Sequence, residues 1–173
     1  MELRVNEEIL NAYGFSPFNT TLQQIGSGLI NRTFLLIDKS GEKFILQNIN
    51  TQVFKNPFAI ANNIKAVADY LAANYPDYLF PTPVETITGD LMFCHNNEYW
   101  RLLPFIDNTT AFETLNDPKQ AYEAAKQFGK LSKLLNNFNT SVLKPTIPGF
   151  HDLVLRYQQF TTALTETKNE LKE

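Results

Sequence analysis

The residues with the clearest chemical potential lie in the glycine loop Gly26-Ser27-Gly28-Leu29-Ile30-Asn31, which has an extended run on either side. Glycines let backbone N–H groups approach phosphate oxygens without interference from a Cβ atom. A hairpin of this kind can therefore fold over the phosphates of a nucleotide. A plain tight turn is the alternative, and for two glycines alone it is the commoner explanation.

The elements around the loop indicate a sheet. A dinucleotide-binding loop opens a helix, whereas here no helical period follows and a turn leads into a third strand, Lys43 to Gln47. Because side chains alternate along a strand, Ile45 and Gln47 share one face, and Phe44 and Leu46 share the other. On periodicity alone, Gln47 is as compatible with facing solvent as with facing a ligand.

Further helices and strands are predicted on both sides of the hairpin. Asn6 caps a short helix that ends at Tyr13, and Asn56-Pro57 starts a helix that runs to about Asn74. Three extended runs follow, at residues 84–88, 91–95 and 98–105. The predicted fold class is α+β, with five or six antiparallel strands and one inserted helix.

The character of the chain changes at Asp107. A polar linker leads to a helix that starts at Asn116-Asp117-Pro118 and has apolar residues at a 3.6-residue period. Asp152 is the predicted cap of a last helix. We therefore divide the chain into a sheet lobe, residues 1–106, and a linker with a helical unit, residues 107–173.

Composition excludes several classes of protein. The net charge of −3 and the scattered basic residues give no footprint for nucleic acid or an anionic membrane. The single cysteine, Cys94, excludes an intramolecular disulfide, and two histidines form no metal cluster of zinc-ligand spacing. The amino terminus lacks the basic and apolar regions of a signal peptide, so we expect a cytoplasmic protein.

Several stretches together resemble one family. The order of the elements matches that of the small lobe of protein-kinase-like folds: a glycine hairpin, a third strand, a helix, further strands, a linker and a helix. The N-acetylhexosamine 1-kinases, of the aminoglycoside phosphotransferase and choline kinase branch, are similar in four stretches: Gly26 to Phe34, Phe44 to Pro57, Tyr99 to Arg101 and Ile147 to Asp152. The resemblance runs from about Asn11 to Tyr157.

The family transfers the γ-phosphoryl group of ATP, with Mg²⁺, to the anomeric hydroxyl of N-acetylglucosamine or N-acetylgalactosamine. The resemblance implies that the glycine loop covers the phosphates, that Ile25 and Thr33 border the adenine, and that Gln47 takes the place of a phosphate-binding lysine. The nucleotide-binding residues that it implies are Gly26, Ser27, Gly28, Asn31, Thr33, Ile45, Gln47 and the hinge residues Pro104, Phe105 and Ile106. It also implies a sugar-side contact by His151 and Asp152, for which a helix cap and its neighbour are the alternative.

Two departures from the family pattern matter. Gln47 is neutral and cannot make the charge-assisted contact of a lysine, and the helix after it offers Asn63, rather than a glutamate, as a partner. The His-Gly-Asp catalytic loop and the later metal-binding aspartate are also missing, and in family order they would follow residue 173. We therefore expect the amino-terminal part of a longer kinase, inactive alone, with its catalytic residues and Mg²⁺ ligands elsewhere.

Two classes of function stay open. One is a sugar 1-kinase, or a phosphotransferase of the same fold that acts on another small hydroxyl substrate. The other is a non-catalytic nucleotide-binding or protein-interaction module. A kinase half should leave apolar helix faces uncovered, at Phe128, Leu135, Tyr157 and Phe160, and should dimerise or associate through them, whereas a self-sufficient module would cover them.

Three residues also have simpler structural interpretations. Asn31 suits a turn with positive φ. Trp100 is expected in the core, and Arg101, on the opposite face of its strand, is expected in a surface ion pair.

Overall fold

The computed structural model describes residues 5–26, 28, 30–109, 112 and 114–166. Within this part of the chain the sheet half consists of α1 (Glu7–Ala12), β1 (Thr21–Gln24), β2 (Arg32–Ile37), β3 (Lys43–Ile49), α2 (Pro57–Asn74), β4 (Phe93–His95) and β5 (Glu98–Pro104). The helical half consists of α3 (Pro118–Leu134) and α4 (Leu153–Glu166) with their loops. Short 3₁₀ turns occur at Pro17–Asn19 and Thr140–Val142.

The five described strands form one antiparallel sheet in the order β1-β2-β3-β5-β4. α2 is inserted between β3 and β4, which confirms the predicted α+β class. The extended run predicted at residues 84–88 is not a strand, because Val84 makes only an isolated bridge to Leu102. Instead the Thr86 hydroxyl accepts from the Asp90 N–H at 3.0 Å and closes a local turn that competes with ladder pairing.

The long helices start where side-chain caps are available. The Asn56 side chain accepts a hydrogen bond from the Ala59 N–H, and Asp117 accepts one from the Lys119 N–H. In both helices a proline occupies the first position, where its missing N–H costs nothing. These caps confirm the predicted starts of α2 and α3.

One face of the sheet packs against α1. Ile9 and Leu10 of this helix are buried with Leu36, Leu46 and Leu102 of the strands. Each of these strand residues is at most 1% exposed, so this cluster is the main core of the sheet half.

A buried hydrogen bond adds to the same packing. The Tyr13 hydroxyl donates to the Trp100 carbonyl at 2.8 Å, and burial raises the pKa of Tyr13 above its ordinary value. Trp100 itself is 3% exposed, which confirms its predicted place in the core.

The opposite face of the sheet is covered by α2 at one end only. Ile49, Ala61 and Met92 form a second, smaller buried cluster there. Further along β3, Ile45 and Gln47 are only half-buried. This part of the face is the one on which the predicted nucleotide site lies.

The helical half has no buried residue among those described in α3 and α4. It is attached to α2 by paired hydrogen bonds: Asn63 Nδ2 donates to the Lys144 carbonyl at 2.8 Å, and the Lys144 N–H donates to Asn63 Oδ1 at 2.9 Å. The predicted pairing of Gln47 with Asn63 is therefore wrong. Searched over the described residues, no helix is both long and apolar enough to span a membrane.

Candidate functional site

Two cross-strand rows of side chains line the face left open by α2. Pairing of β3 with β2 and β5 aligns Leu35, Ile45 and Leu103 in an apolar row. Two positions along, the same register aligns Thr33, Gln47 and Arg101 in a polar row. Same-face positions of a strand are about 7 Å apart, so a ligand with an apolar end and a polar end can contact both rows.

The polar row is a continuous hydrogen-bonded chain across three strands. Gln47 Nε2 donates to Thr33 Oγ1 at 3.1 Å, and Arg101 Nε and Nη2 both donate to Gln47 Oε1, at 3.0 and 2.6 Å. Both ends of the Gln47 amide are thus engaged, which fixes its orientation. Gln47 is half-buried and lies on the face of the sheet that α2 leaves open.

Arg101 differs from its predicted role as a surface ion-pair member. Its side chain forms no salt bridge among the described residues, and burial lowers its pKa from the ordinary value. Its Nη1 atom is excluded from solvent and has no hydrogen-bond partner within the described chain. The ion-pair prediction was wrong because tertiary pairing places an uncharged Gln47, rather than a carboxylate, opposite the guanidinium.

The glycine loop continues from the hairpin of β1 and β2. The Ile25 N–H donates to the Thr33 carbonyl at 2.9 Å, so pairing extends past the end of β1. Gly26 has a φ of +75°, a conformation that side-chain-bearing residues rarely adopt. At Gly28, a Cβ atom would lie 3.4 Å from the Asn31 carbonyl oxygen, which is an ordinary van der Waals contact. Ser27, also predicted here, lies outside the described residues.

Asn31 joins the loop to the end of β3. Its Oδ1 accepts a hydrogen bond from the Asn50 N–H at 3.0 Å. The alternative of a positive φ at Asn31 is wrong, because the described non-glycine residues with positive φ are Asn96, Asn97 and Asn108. Sequence spacing gave no signal for the contact with Asn50, which lies 19 positions away.

Part of the hinge backbone is already hydrogen-bonded. Pro104 has no N–H, the Phe105 N–H donates to the Lys43 carbonyl at 3.3 Å, and the Ile106 carbonyl accepts from Thr109 Oγ1 at 2.8 Å. Within the described chain the Ile106 N–H has no partner. Of the two hinge N–H groups, in Phe105 and Ile106, the one in Ile106 is therefore free to donate to a ligand.

His151 and Asp152 lie in the loop before α4, and both are exposed. Asp152 Oδ1 accepts from the Leu155 N–H at 3.0 Å, which is the helix cap named above as the alternative. The His151 ring meets Phe150 edge to face, with centroids 4.8 Å apart. Neither residue has a described hydrogen bond to the two rows.

A cavity of about 370 Å³ opens beyond the end of the polar row and includes neither row. Its charged lining residues satisfy one another, since Arg32 Nη2 donates to Asn48 at 2.7 Å and to Glu98 at 2.6 Å. We therefore place the candidate site at the two rows and not in this cavity. In the described ranges, no group of three or more His, Cys, Asp or Glu side chains could hold a metal ion.

Two solved structures share this architecture. The amicoumacin kinase hAmiN, in complex with AMP-PNP, Ca²⁺ and Ami, matches with a TM-score of 0.61 at 12% identity, over 91% of this chain and 51% of that one. The spectinomycin phosphotransferase APH(9)-Ia, in complex with ADP and spectinomycin, matches with a TM-score of 0.52 at 17% identity, over 79% of this chain and 38% of that one. The chain thus spans no more than about half of either relative, and the fold is protein-kinase-like.

The family is shown by the sequence itself. Residues 21–173 match the phosphotransferase enzyme family APH. The chain belongs to this family of phosphotransferases. This confirms the predicted branch of the protein-kinase-like fold, and it leaves the acceptor substrate open.

Proposed function

We propose that this chain is the nucleotide-binding part of an ATP-dependent kinase whose acceptor is the anomeric hydroxyl of an N-acetylhexosamine. The observation that carries the proposal is the pair of rows beneath the glycine loop, in a chain of the phosphotransferase family. An apolar row beside a polar row fits adenine followed by phosphates. In this proposal residues 1–106 bind the nucleotide, and residues 107–173 begin the helical lobe.

Each part of ATP has a candidate partner. The adenine ring packs on the apolar row, beside Ile25 and Thr33, and its edge accepts a hydrogen bond from the Ile106 N–H. The phosphates lie over the polar row, beneath backbone N–H groups of the glycine loop, where Gly26 provides the required positive φ. Asn31 holds the end of the loop through its bond to Asn50.

The acceptor and the catalytic groups lie outside the two rows in this proposal. The amino-sugar specificity rests on the sequence resemblance to N-acetylhexosamine 1-kinases, with His151 and Asp152 as the candidate contacts on the sugar side. A catalytic aspartate, which accepts the hydroxyl proton, and the ligands of Mg²⁺ come from the remaining part of the kinase. Mg²⁺ neutralises charge on the phosphates when it is bound. The proposed location of the kinase is the cytoplasm.

The exposed apolar side chains of the helical half support the proposal that this chain associates with further protein. Phe128, Tyr157 and Phe160 are 74%, 68% and 58% exposed, while Leu135 is half-buried. Apolar surface of this kind is typical of an interface. We propose that the rest of the kinase covers it and that this chain alone dimerises or associates through it.

A second acceptor class is favoured by the solved relatives. The two similar structures are named as kinases of spectinomycin and amicoumacin, which are not N-acetylhexosamines. A hydroxyl-bearing antibiotic is therefore the second candidate for the acceptor, with the same nucleotide site.

Phosphoryl transfer from ATP tests the proposal. The 173-residue chain and the product of its gene read through past Glu173 are each assayed with N-acetylglucosamine, N-acetylgalactosamine, spectinomycin and amicoumacin. Sugar-1-phosphate formed only by the longer product supports the proposed kinase. Transfer only to an antibiotic replaces the acceptor, and absence of transfer to all four rejects both acceptor classes.

A further inference from the structure

The proposed nucleotide site lacks the lysine that its family places on the third strand. Gln47 stands at that position, and a neutral amide makes weaker contacts with phosphate than a cation does. However, the side chain opposite Gln47 on β5 is a cation, Arg101. Its guanidinium donates two hydrogen bonds to the Gln47 amide oxygen.

We propose that Arg101 is the cationic phosphate-binding residue of this site and that Gln47 is the positioning residue that holds it. The proposal rests on the nucleotide-binding function proposed above. In this proposal the phosphate-binding cation stands on β5, whereas the family pattern places it on the neighbouring strand β3.

The donor inventory of Arg101 supports this role. A guanidinium has five N–H donors, and Gln47 Oε1 takes the one on Nε and one on Nη2. The remaining three have no partner among the described residues, and both of those on Nη1 are withdrawn from water. Two parallel N–H groups of arginine match two oxygens of a phosphate.

The charge inventory supports the same role. A cation that is withdrawn from water without a counter-charge is unfavourable, and an anion bound beside it offsets that cost. No described carboxylate pairs with Arg101, although the other face of the sheet pairs Arg32 with Glu98 at 2.6 Å. The two arginines therefore differ, since Arg32 has a carboxylate partner and Arg101 has none in the part of the chain that the structure describes.

A purely structural row is the competing explanation. In that case the chain of bonds from Thr33 through Gln47 to Arg101 only fastens three strands together. The Gln47→Glu substitution separates the two explanations, because a carboxylate keeps both bonds to Arg101 and cancels its charge. If the row is only structural, the Gln47→Glu variant should stay folded and bind nucleotide as before. If the row binds phosphate, the variant should lose affinity for phosphate.

The experiment is calorimetric titration of the 173-residue chain with adenosine, ADP, ATP and inorganic tripolyphosphate. The variants are Arg101→Met, Arg101→Lys and Gln47→Glu, and Arg156→Met is the matched control on α4. We expect Arg101→Met and Gln47→Glu to lower affinity for ADP, ATP and tripolyphosphate by about 10- to 100-fold, the usual range for contacts with a charged group. Adenosine affinity stays unchanged, Arg101→Lys retains part of the phosphate affinity, and thermal unfolding shows that each variant is folded.

The outcomes separate this inference from the proposed function. Undiminished ADP binding by Arg101→Met and Gln47→Glu overturns the inference and leaves the nucleotide site standing. Binding of tripolyphosphate that depends on Arg101, without binding of adenosine, ADP or ATP, supports the anion site and rejects the kinase function. A wild-type chain that binds none of the four compounds rejects both.

Discussion

The sheet half and the helical half of this protein differ in what they bury. Leu46 and Leu102 of the sheet half are 0% exposed, whereas Phe128 and Leu153 of the helical half are 74% and 81% exposed. The sheet half therefore carries its own core on one face and a candidate ligand site on the other. In contrast, helices α3 and α4 have well-defined caps but little apolar burial among the described residues. Caps set where a helix begins, but most of the stability of a helix comes from the packing of its apolar face.

Polar and aromatic side-chain contacts join the two halves within the described ranges. Besides the bonds between Asn63 and Lys144, Lys43 Nζ lies 2.8 Å from Asp107 Oδ1. The rings of Tyr70 and Phe138 lie 5.3 Å apart. Lys130 Nζ lies 5.2 Å from the centroid of the Tyr78 ring. Because the single tryptophan, Trp100, lies in the sheet core, its fluorescence reports unfolding of the sheet half separately from the helices.

The largest expected effect comes from removing the same side chain in each half. Leu102→Ala leaves a cavity in the core and should lower the free energy of unfolding by about 2–5 kcal/mol. Leu153→Ala, at an exposed position, should change it by no more than about 0.5 kcal/mol. Urea unfolding followed by Trp100 fluorescence measures both changes in the free energy of unfolding. Equal changes in the two variants would contradict the difference between the halves.

High pH should destabilise the sheet half through Tyr13. Burial raises the pKa of Tyr13 above the value of about 10 that applies in the unfolded chain, so the stabilising effect is complete below pH 10 and is lost as the pH rises further. We expect the free energy of unfolding to fall more steeply above pH 10 than in Tyr13→Phe, by at most about 1.4 kcal/mol per pH unit.

Urea titrations between pH 8 and 11 make this comparison. Tyr70 and Tyr99 also have raised pKa values, the first through burial and the second through the nearby Cys94 thiol. Because the wild type and Tyr13→Phe both contain these two tyrosines, they do not affect the comparison. Tyr157→Phe, at an exposed position of α4, is the control. Parallel pH profiles of the wild type and Tyr13→Phe would reject the role assigned to Tyr13.

Two glycines with positive φ, one in each half, give the next test. Gly26 and Gly149 have φ values of +75° and +68°, and a Cβ atom at Gly149 would also lie 2.8 Å from Leu155 Cδ2. Each substitution by alanine should cost about 1–2 kcal/mol. Gly26→Ala should lower the midpoint of urea unfolding that is followed by Trp100 fluorescence. Gly149→Ala should lower only the midpoint that is followed by the helical circular dichroism signal. A Trp100 shift in Gly149→Ala would show that the halves unfold together.

The smallest expected effect comes from cutting the attachment between the halves. Asn63→Ala removes two hydrogen bonds to the Lys144 backbone and should cost about 1 kcal/mol, confined to the loop between α3 and α4. Amide hydrogen exchange should become faster in that loop and stay unchanged in β3 and β5. The exposed neighbour Asn62→Ala is the control, and faster exchange in the sheet of Asn63→Ala would contradict the separation.

Much of the secondary structure was predictable because its signals are local. Asn56-Pro57 and Asp117-Pro118 mark the observed starts of α2 and α3, since a cap and its N–H partner lie within three residues. Alternation along β3 correctly separated Leu46, in the core, from Gln47, on the open face. At residues 84–88 the prediction of a strand was wrong, because a local turn closed by the Thr86 hydroxyl competes with strand pairing.

The candidate site was predictable only in part. The glycine loop was identified from its residues, and Gln47 from the family resemblance, but the interpretation of Arg101 as a surface ion-pair member was wrong. Gln47 and Arg101 are 54 positions apart, and no sequence pattern states which residue of β5 lies opposite Gln47. Strand register depends on packing of the whole sheet.

The sequence by itself determined the helix caps, the alternating faces of the strands, the turn at Gly26 and membership of the phosphotransferase family. These follow from interactions between residues close along the chain, or from the residues themselves. The tertiary structure decided the strand order, the half-open face and the meeting of Gln47 with Arg101. These depend on contacts between distant segments, because only the packed sheet brings a third-strand amide and a fifth-strand guanidinium within hydrogen-bonding distance.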